Sequence, residues 1–271
     1  MRVGYLQYCP EFLNPEENIK KIEQHIKSYK EKNPQDIDLL VLPELALSGY
    51  FFADKEEVIK IAENIDTGKN IKKLHEIAKK YRINIVTGFA EEEDGNFYNS
   101  AAMLRRDGGK EVYRKMHLFA EEKKFFTAGN LGFPVFQLED IKIAMLVCYD
   151  HFFPEAARSV ALQGAQIICH PSNLVLPEYG QITTWVRAVE NHVFWILANR
   201  IGTEKQGERQ LTYTGRSHIV KPDGTKLAVA SETEEELMVY EINPEEAKNK
   251  TVTPYNDLFA DRRTDSYIMF T

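Results

Sequence analysis

The chain has 271 residues, 43% hydrophobic and 28% charged, with a formal net charge of -7 from 34 basic and 41 acidic residues. That composition predicts a sizeable core under a well-solvated surface and, lacking a basic excess, excludes a general nucleic-acid or anionic-membrane binder. No stretch approaches the roughly 20 apolar residues of a membrane span, and no secretory leader pattern precedes the first strand. Three cysteines, Cys9, Cys148 and Cys169, without CxxC spacing, predict neither a disulfide framework nor a thiolate zinc site and fit a reducing cytoplasm.

The opening "RVGYLQY" alternates like a strand. A helix follows over "NPEENIKKIEQHIKSYK", with Asn14 as N-cap, Pro15 at the first helical position, and Ile19, Ile22, Ile26 and Tyr29 on one face. "IDLLVLPE" is a short continuous apolar run, the mark of a strand buried on both faces. Next come a helix at "KNIKKLHEIAKKYR", a strand at "INIVTGFA" and two strands about the Asp107-Gly108-Gly109 turn, the second ending in "VYRKMH". "FPVFQLEDIKIAMLVC" gives another strand pair, and a helix runs from Pro154 to about Gln163. A strand at "AQIICH", a helix at "GQITTWVRAVENHV", a strand at "FWILANRIG", a hairpin about Pro222-Asp223-Gly224 and a late strand at "EEELMVYEI" complete the series. Strands and helices alternate without a linker, which predicts one domain over residues 1–271 with mixed sheets. The last segment has no clear periodicity but holds Tyr255, Leu258, Phe259, Tyr267, Ile268 and Phe270, too apolar for a disordered tail.

Three strand ends carry candidate chemistry. Cys148 closes the apolar run "IKIAMLV" just before a helix start, where α/β proteins expose reactive groups to backbone N–H groups. Taken alone, a strand-end cysteine is more often a buried core thiol. Glu44 follows "LLVLP" and so is partly desolvated, as a proton-transfer group requires. Lys115, in "VYRKMHLF", ends another strand, where an ammonium would favour thiolate and hold an oxyanion. Glu122 lies seven residues on, in a charge-rich loop. No histidine pair has metal spacing, Cys169 and His170 point to opposite faces of their strand, and no glycine-rich phosphate loop is present. His117 and His151 flank the candidate site and leave a Cys-His acyl hydrolase as a rival reading.

"LVLPELALSGY", "YRKMHLF" and "CYDHFFPEAAR", in this order and spacing, resemble the three signature blocks of the nitrilase superfamily, the carbon-nitrogen hydrolases. The resemblance extends through "GAQIICHPSN" and "RAVENHVFWILANRIG" over nearly the whole chain, and its wording is most similar to short microbial nitrilases, thermophilic ones among them, and related amidases. It implies an α-β-β-α sandwich of two mixed sheets. It also implies a homodimer of eight layers, packed through the helices beginning near Pro154 and Tyr179, with the tail from about residue 250 crossing the interface. It maps the family's catalytic set onto Glu44, Lys115 and Cys148, with Glu122 as the fourth, loop-borne acid. Cys148 is then the nucleophile, Glu44 the proton carrier, and Lys115 with the Tyr149 N–H the oxyanion holders, with no metal or cofactor. Asp150 and Pro154-Glu155 shape the turn.

The expected substrate pocket is lined by Tyr50, Phe51, His151, Asn173 and Leu174, mixed and moderately apolar. Some family members bind a substrate carboxylate with arginines just beyond this point. Here Leu174 and Val175 follow Asn173, which disfavours an N-carbamoyl amino acid. The expected reaction is hydrolysis of a small aliphatic nitrile or amide to a carboxylic acid and ammonia. The alternatives are an N-carbamoyl amine or amino-acid amidohydrolase and, from another class, a non-catalytic dimeric binding protein that keeps the fold.

Overall fold

Asn14 begins the first helix as expected: its side chain accepts from the Glu17 N–H, Pro15 takes the first turn, and Glu16 and Glu17 lie near the positive helix end. The computed structural model describes residues 1–267. Its first half runs β1 (Arg2–Gln7), α1 (Pro15–Lys32), β2 (Leu39–Val41), α2 (Lys55–Ile61), α3 (Lys69–Tyr81), β3 (Asn84–Glu93), β4 (Asn96–Leu104) and β5 (Lys110–Arg114). The second half runs α4 (Glu122–Phe125), β6 (Val135–Leu138), β7 (Ile141–Met145), a 3-10 turn (Cys148–Phe152), α5 (Pro154–Leu162), β8 (Ile167–Pro171), α6 (Tyr179–Asn191) and β9 (Phe194–Ala198). A hairpin of β10 (Thr203–Gln206) and β11 (Arg209–Thr212) precedes β12 (His218–Val220), β13 (Lys226–Val229) and β14 (Glu236–Glu241).

Two mixed six-stranded sheets result, in the orders β14-β1-β2-β3-β4-β5 and β13-β12-β9-β8-β7-β6. The period of two along each strand assigns the faces. Val3, Tyr5, Leu39, Val41, Val86 and Met103 join the second sheet in one buried cluster. Their neighbours Leu6, Leu40, Leu42, Ile85 and Ala102 pack instead under α1 and α3. Ala156, Ala157 and Val160 of α5 and Ala188 of α6 seal the far side of the second sheet. The layers are therefore α-β-β-α, as the resemblance implied.

Strand direction brings the site together. β2 runs parallel to β3, and two antiparallel steps through β4 turn β5 back to the same direction. The carboxyl ends of β2 and β5 thus share one edge. In the second sheet β7, β8 and β9 are all parallel, so β7 and β8 deliver Cys148 and Asn173 to one edge as well.

Three elements escaped the sequence pattern. The seven-residue α2 has one fully buried residue, Val58, too few to show a stripe. The β10–β11 hairpin stands off both sheets and buries only Glu204 among its strand residues, so it has no apolar alternation. Glu122 is not in an open loop but starts α4 and is buried. The tail forms a small hairpin, β15 (Thr251–Thr253) and β16 (Asn256–Asp257), and Phe259 packs on its own subunit between the cations of Arg158 and Lys250. Lys250 also caps α6, donating to the carbonyls of Asn191 and His192 at 2.9 and 2.7 Å. Ile268 and Phe270, part of the expected apolar tail, lie outside the described residues.

Gly88 of β3 shows how tightly the first sheet holds the loop after β2. A Cβ there would lie 2.4 Å from the Cα of Glu44 and 2.4 Å from the Leu45 nitrogen, both backbone atoms. Gly88→Ala is expected to lower unfolding stability by about 2 kcal/mol through overpacking and to displace Glu44. Chemical denaturation checks the first effect, and a fall in Cys148 alkylation rate checks the second.

Candidate active site

Lys115, the residue after β5, is buried, and its Nζ donates to Glu44 Oε1 and to Glu122 Oε1, each at 2.7 Å. Glu44 is wholly buried beyond the end of β2, and Glu122 is 4% exposed. Neutral donors complete the cluster. Asn99 of β4 donates to Glu44 Oε1 at 2.7 Å, Tyr50 Oη to Glu122 Oε1 at 2.7 Å, and the Phe119 N–H to Glu122 Oε2 at 3.2 Å. Glu44 Oε2 has no partner among the described residues. One carboxylate oxygen is thus buried without a partner.

Cys148 begins the 3-10 turn with φ of 43°, in the left-handed region that a non-glycine residue enters at a cost. Two clamps hold it there. His170 Nε2 donates to the Cys148 carbonyl at 2.9 Å; the carbonyl only accepts, so this nitrogen carries the proton. Burial and the neighbouring His151 hold His170 well below its ordinary range, in the neutral form. Asp150 supplies the second clamp, accepting from the Val147 N–H at 2.9 Å and from Tyr113 Oη at 2.7 Å with one oxygen. Its other oxygen accepts from His117, ring Nδ1 at 2.8 Å and backbone N–H at 3.3 Å. Tyr113 and His117 stand two residues either side of Lys115. Asp150 therefore ties the Lys115 loop of one sheet to the Cys148 turn of the other.

The charges of Glu44, Lys115 and Glu122 all reach the thiol. Burial, helped by the two carboxylates, raises Cys148 well above its ordinary 9.0, against the opposing pull of Lys115 and of an N–H from Asn173. Lys115 does favour the thiolate, as expected of an ammonium near the thiol, but it is shared between two acids. Burial and Glu44 likewise raise Glu122 above its ordinary 4.5 despite Lys115. Lys115 would be lowered by burial alone, but Glu122 and Glu44 outweigh this and it rises. The direction of the Cys148 shift favours the thiol over the thiolate.

A cavity of about 20 Å³, room for a group the size of water, opens on Cys148 and is lined by Tyr149, His151, Asn173 and Leu174 with Phe119 and Phe152. Phe119 also walls a second chamber of about 180 Å³ bounded by Tyr50, Phe51, Phe125 and Leu211. The expected lining residues thus divide: Tyr149, His151, Asn173 and Leu174 meet the thiol cavity, while Tyr50 and Phe51 face the larger chamber. The Tyr50 hydroxyl is engaged by Glu122. Asn173 is buried with neither polar side-chain atom partnered among the described residues. His151 is pushed down to about 3 by burial and by Arg187, and its Nδ1 lies 2.6 Å from Thr183 Oγ1, which leaves the ring a neutral wall. His117 is engaged by Asp150 and stacked on Phe153. Neither histidine is arranged as a base for Cys148. The sequence reading missed Asn99 and His170; each sits in an unremarkable strand, and only pairing across strands reveals its target.

The carbon-nitrogen hydrolase family profile matches residues 2–250. The chain belongs to the carbon-nitrogen hydrolase family, the nitrilase superfamily, and is a hydrolase acting on carbon–nitrogen bonds. It is 43% identical to a nitrilase of Pyrococcus abyssi over 98% of this chain and 99% of that one. It is 32% identical to an N-carbamoylputrescine amidase of Arabidopsis thaliana, covering 88% and 85% of the two chains. Among solved structures it is similar to a mutant amidase from Nesterenkonia sp. AN1, described with acrylamide added at its active site cysteine. That match has a TM-score of 0.79 and 26% identity over 98% of this chain and 97% of that one.

The charge pattern fixes a pH response. As pH falls, the raised Glu122 takes up a proton above 4.5, so the cluster changes charge before an ordinary carboxylate would. As pH rises, the thiol does not ionise at 9.0. Iodoacetamide alkylation of Cys148, followed by peptide mass mapping, is expected to fall on the acid side with a midpoint above 4.5 and to show none near 9.0. A midpoint at 9.0 would mean that the thiol titrates as if in water.

Proposed function

We propose that this protein hydrolyses a small, uncharged nitrile or amide to a carboxylic acid and ammonia through an intermediate on Cys148. The observation that carries the reading is the buried, unpartnered Glu44 Oε2 in a cluster whose charges act on the Cys148 thiol, with the Lys115 ammonium fixed on the other oxygen of the same carboxylate. For an amide, the sulfur attacks the carbonyl carbon as Glu44 takes the thiol proton. Lys115 and the Tyr149 N–H stabilise the oxyanion. The carbon–nitrogen bond breaks as Glu44 returns the proton to the departing ammonia, which leaves a thioester. Glu44 then takes a proton from water, whose oxygen attacks the thioester, and the acid and the thiol are released. A nitrile first gives a thioimidate, and addition of water leads it into the same path. Glu122 orients Lys115, with Tyr50 holding Glu122.

The cavity supports a small substrate without negative charge. The space at the thiol is about 20 Å³, and none of the described residues lining it is Lys or Arg, so a carboxylate on the substrate would meet no counter-ion. An N-carbamoyl amine, the kind of substrate named for the Arabidopsis relative, presents the same carboxamide end and is the second compound class to try.

The test is an ammonia-release screen over nitriles, ω-amides and N-carbamoyl amines. Activity on a compound found there is expected to vanish in Cys148→Ala. In Glu44→Gln it should fall by about 10³-fold, the usual size of a lost acid–base group. Retention of activity in Glu44→Gln would point to a different base.

The working form is proposed to be a homodimer packed through α6. Tyr179, Ile182 and Trp185 of that helix are exposed, the first two at 57% each, an apolar face that a monomer would leave in water. Light scattering is expected to give twice the chain mass, and Ile182→Glu with Trp185→Glu to give a folded monomer.

A further inference from the structure

The β10–β11 hairpin contributes a buried acid. Glu204 is 7% exposed and lies against the loop that follows Glu44. One carboxylate oxygen accepts from the Tyr50 and Phe51 N–H groups at 3.1 and 2.9 Å and from Tyr213 Oη at 2.6 Å. The other accepts from Arg200 Nη1 at 2.5 Å. The approach is so close that a Cβ on Gly49, whose φ is +77°, would stand 2.4 Å from Glu204 Oε1. Arg200 is itself fully buried, its guanidinium 4.0 Å from the centre of the Tyr213 ring, and that ring meets Tyr50 edge-on.

A buried ion pair is a poor source of stability, because desolvation offsets its attraction. This one is aimed at the backbone of the residue whose hydroxyl holds Glu122. The Glu122 oxygen that accepts from Tyr50 is the one that accepts from Lys115. A continuous chain of contacts runs from Arg200 through Glu204, Tyr50 and Glu122 to Lys115. Phe51 and Leu211, one on each side of the same junction, wall the larger chamber.

We propose that Glu204, held by Arg200, is a positioning residue: it fixes Tyr50 so that Glu122 and Lys115 keep their places around Cys148. The inference rests on the catalytic reading given above. It is tested through the alkylation rate of Cys148 by iodoacetamide, which needs no knowledge of the substrate; peptide mapping separates Cys148 from Cys9. Glu204→Gln keeps the shape and removes the charge, and is expected to slow alkylation about tenfold, since small displacements of positioned groups cost factors of this size or more. Tyr50→Phe is expected to slow it by a similar factor. The double variant Tyr50→Phe with Glu204→Gln should be no slower than the slower single variant, because both changes break one chain of contacts. Multiplicative losses, near a hundredfold, would show that Glu204 acts on the fold at large and would overturn the inference. An unchanged rate in Glu204→Gln would overturn it too. Should Glu204→Gln fail to fold, Tyr213→Phe, which removes one donor from the same oxygen, carries the same comparison. A wild-type Cys148 no faster than Cys9 defeats the catalytic reading as well; a fast wild type with an unaffected Glu204→Gln defeats the positioning role alone.

Discussion

One ammonium shared by two buried carboxylates organises this molecule. Lys115 is buried, and its charge is balanced by Glu44 and Glu122, each at 2.7 Å. Two acids against one cation leave an excess negative charge, which is tolerable in a low-dielectric interior only because Asn99, Tyr50 and the Phe119 N–H donate to the same carboxylates. Removing Lys115 would leave two buried carboxylates with no cation between them, and removing either acid would strip Lys115 of one of its two partners. The sheets, the crowded contact at Gly88 and the Asp150 clamp all hold these groups at fixed separations.

The same excess charge dictates how the thiol works. A cysteine facing a free cation would rest as thiolate; this one faces two carboxylates and rests protonated. In the proposed mechanism its nucleophile is generated as the free oxygen of Glu44 takes the thiol proton. Backbone strain accompanies the arrangement. Leu45, Ala120 and Cys148, one beside each of the three loops that meet here, all have positive φ. Strained backbone of this kind is common where a fold aims a side chain at a site.

The strand ends were legible because buried parallel strands write themselves as unbroken apolar runs, and a polar residue placed directly after such a run is conspicuous. Glu44 and Cys148 announce themselves in this way, whereas Lys115 follows the half-buried antiparallel strand β5 and stood out only through the "YRKMHLF" block. The helices α1, α3 and α6 were legible from their stripes. Glu122 was not, since "AEEKKFF" reads as solvated charge until Tyr50, 72 residues earlier, covers it. Glu204 was less legible still: its hairpin has no apolar alternation, and its partners Tyr50 and Phe51 are 154 and 153 residues away.

The sequence by itself therefore determined which segments become buried strands, where they stop and what chemistry waits at each stop, because burial and periodicity are local properties of the chain. Tertiary structure alone decided that two carboxylates would meet one ammonium, that Asp150 would fasten one sheet's loop to the other's, and that the thiol would be neutral. Those outcomes depend on distances of a few ångströms between residues far apart in sequence, and on the loss of water between them, neither of which any local pattern encodes.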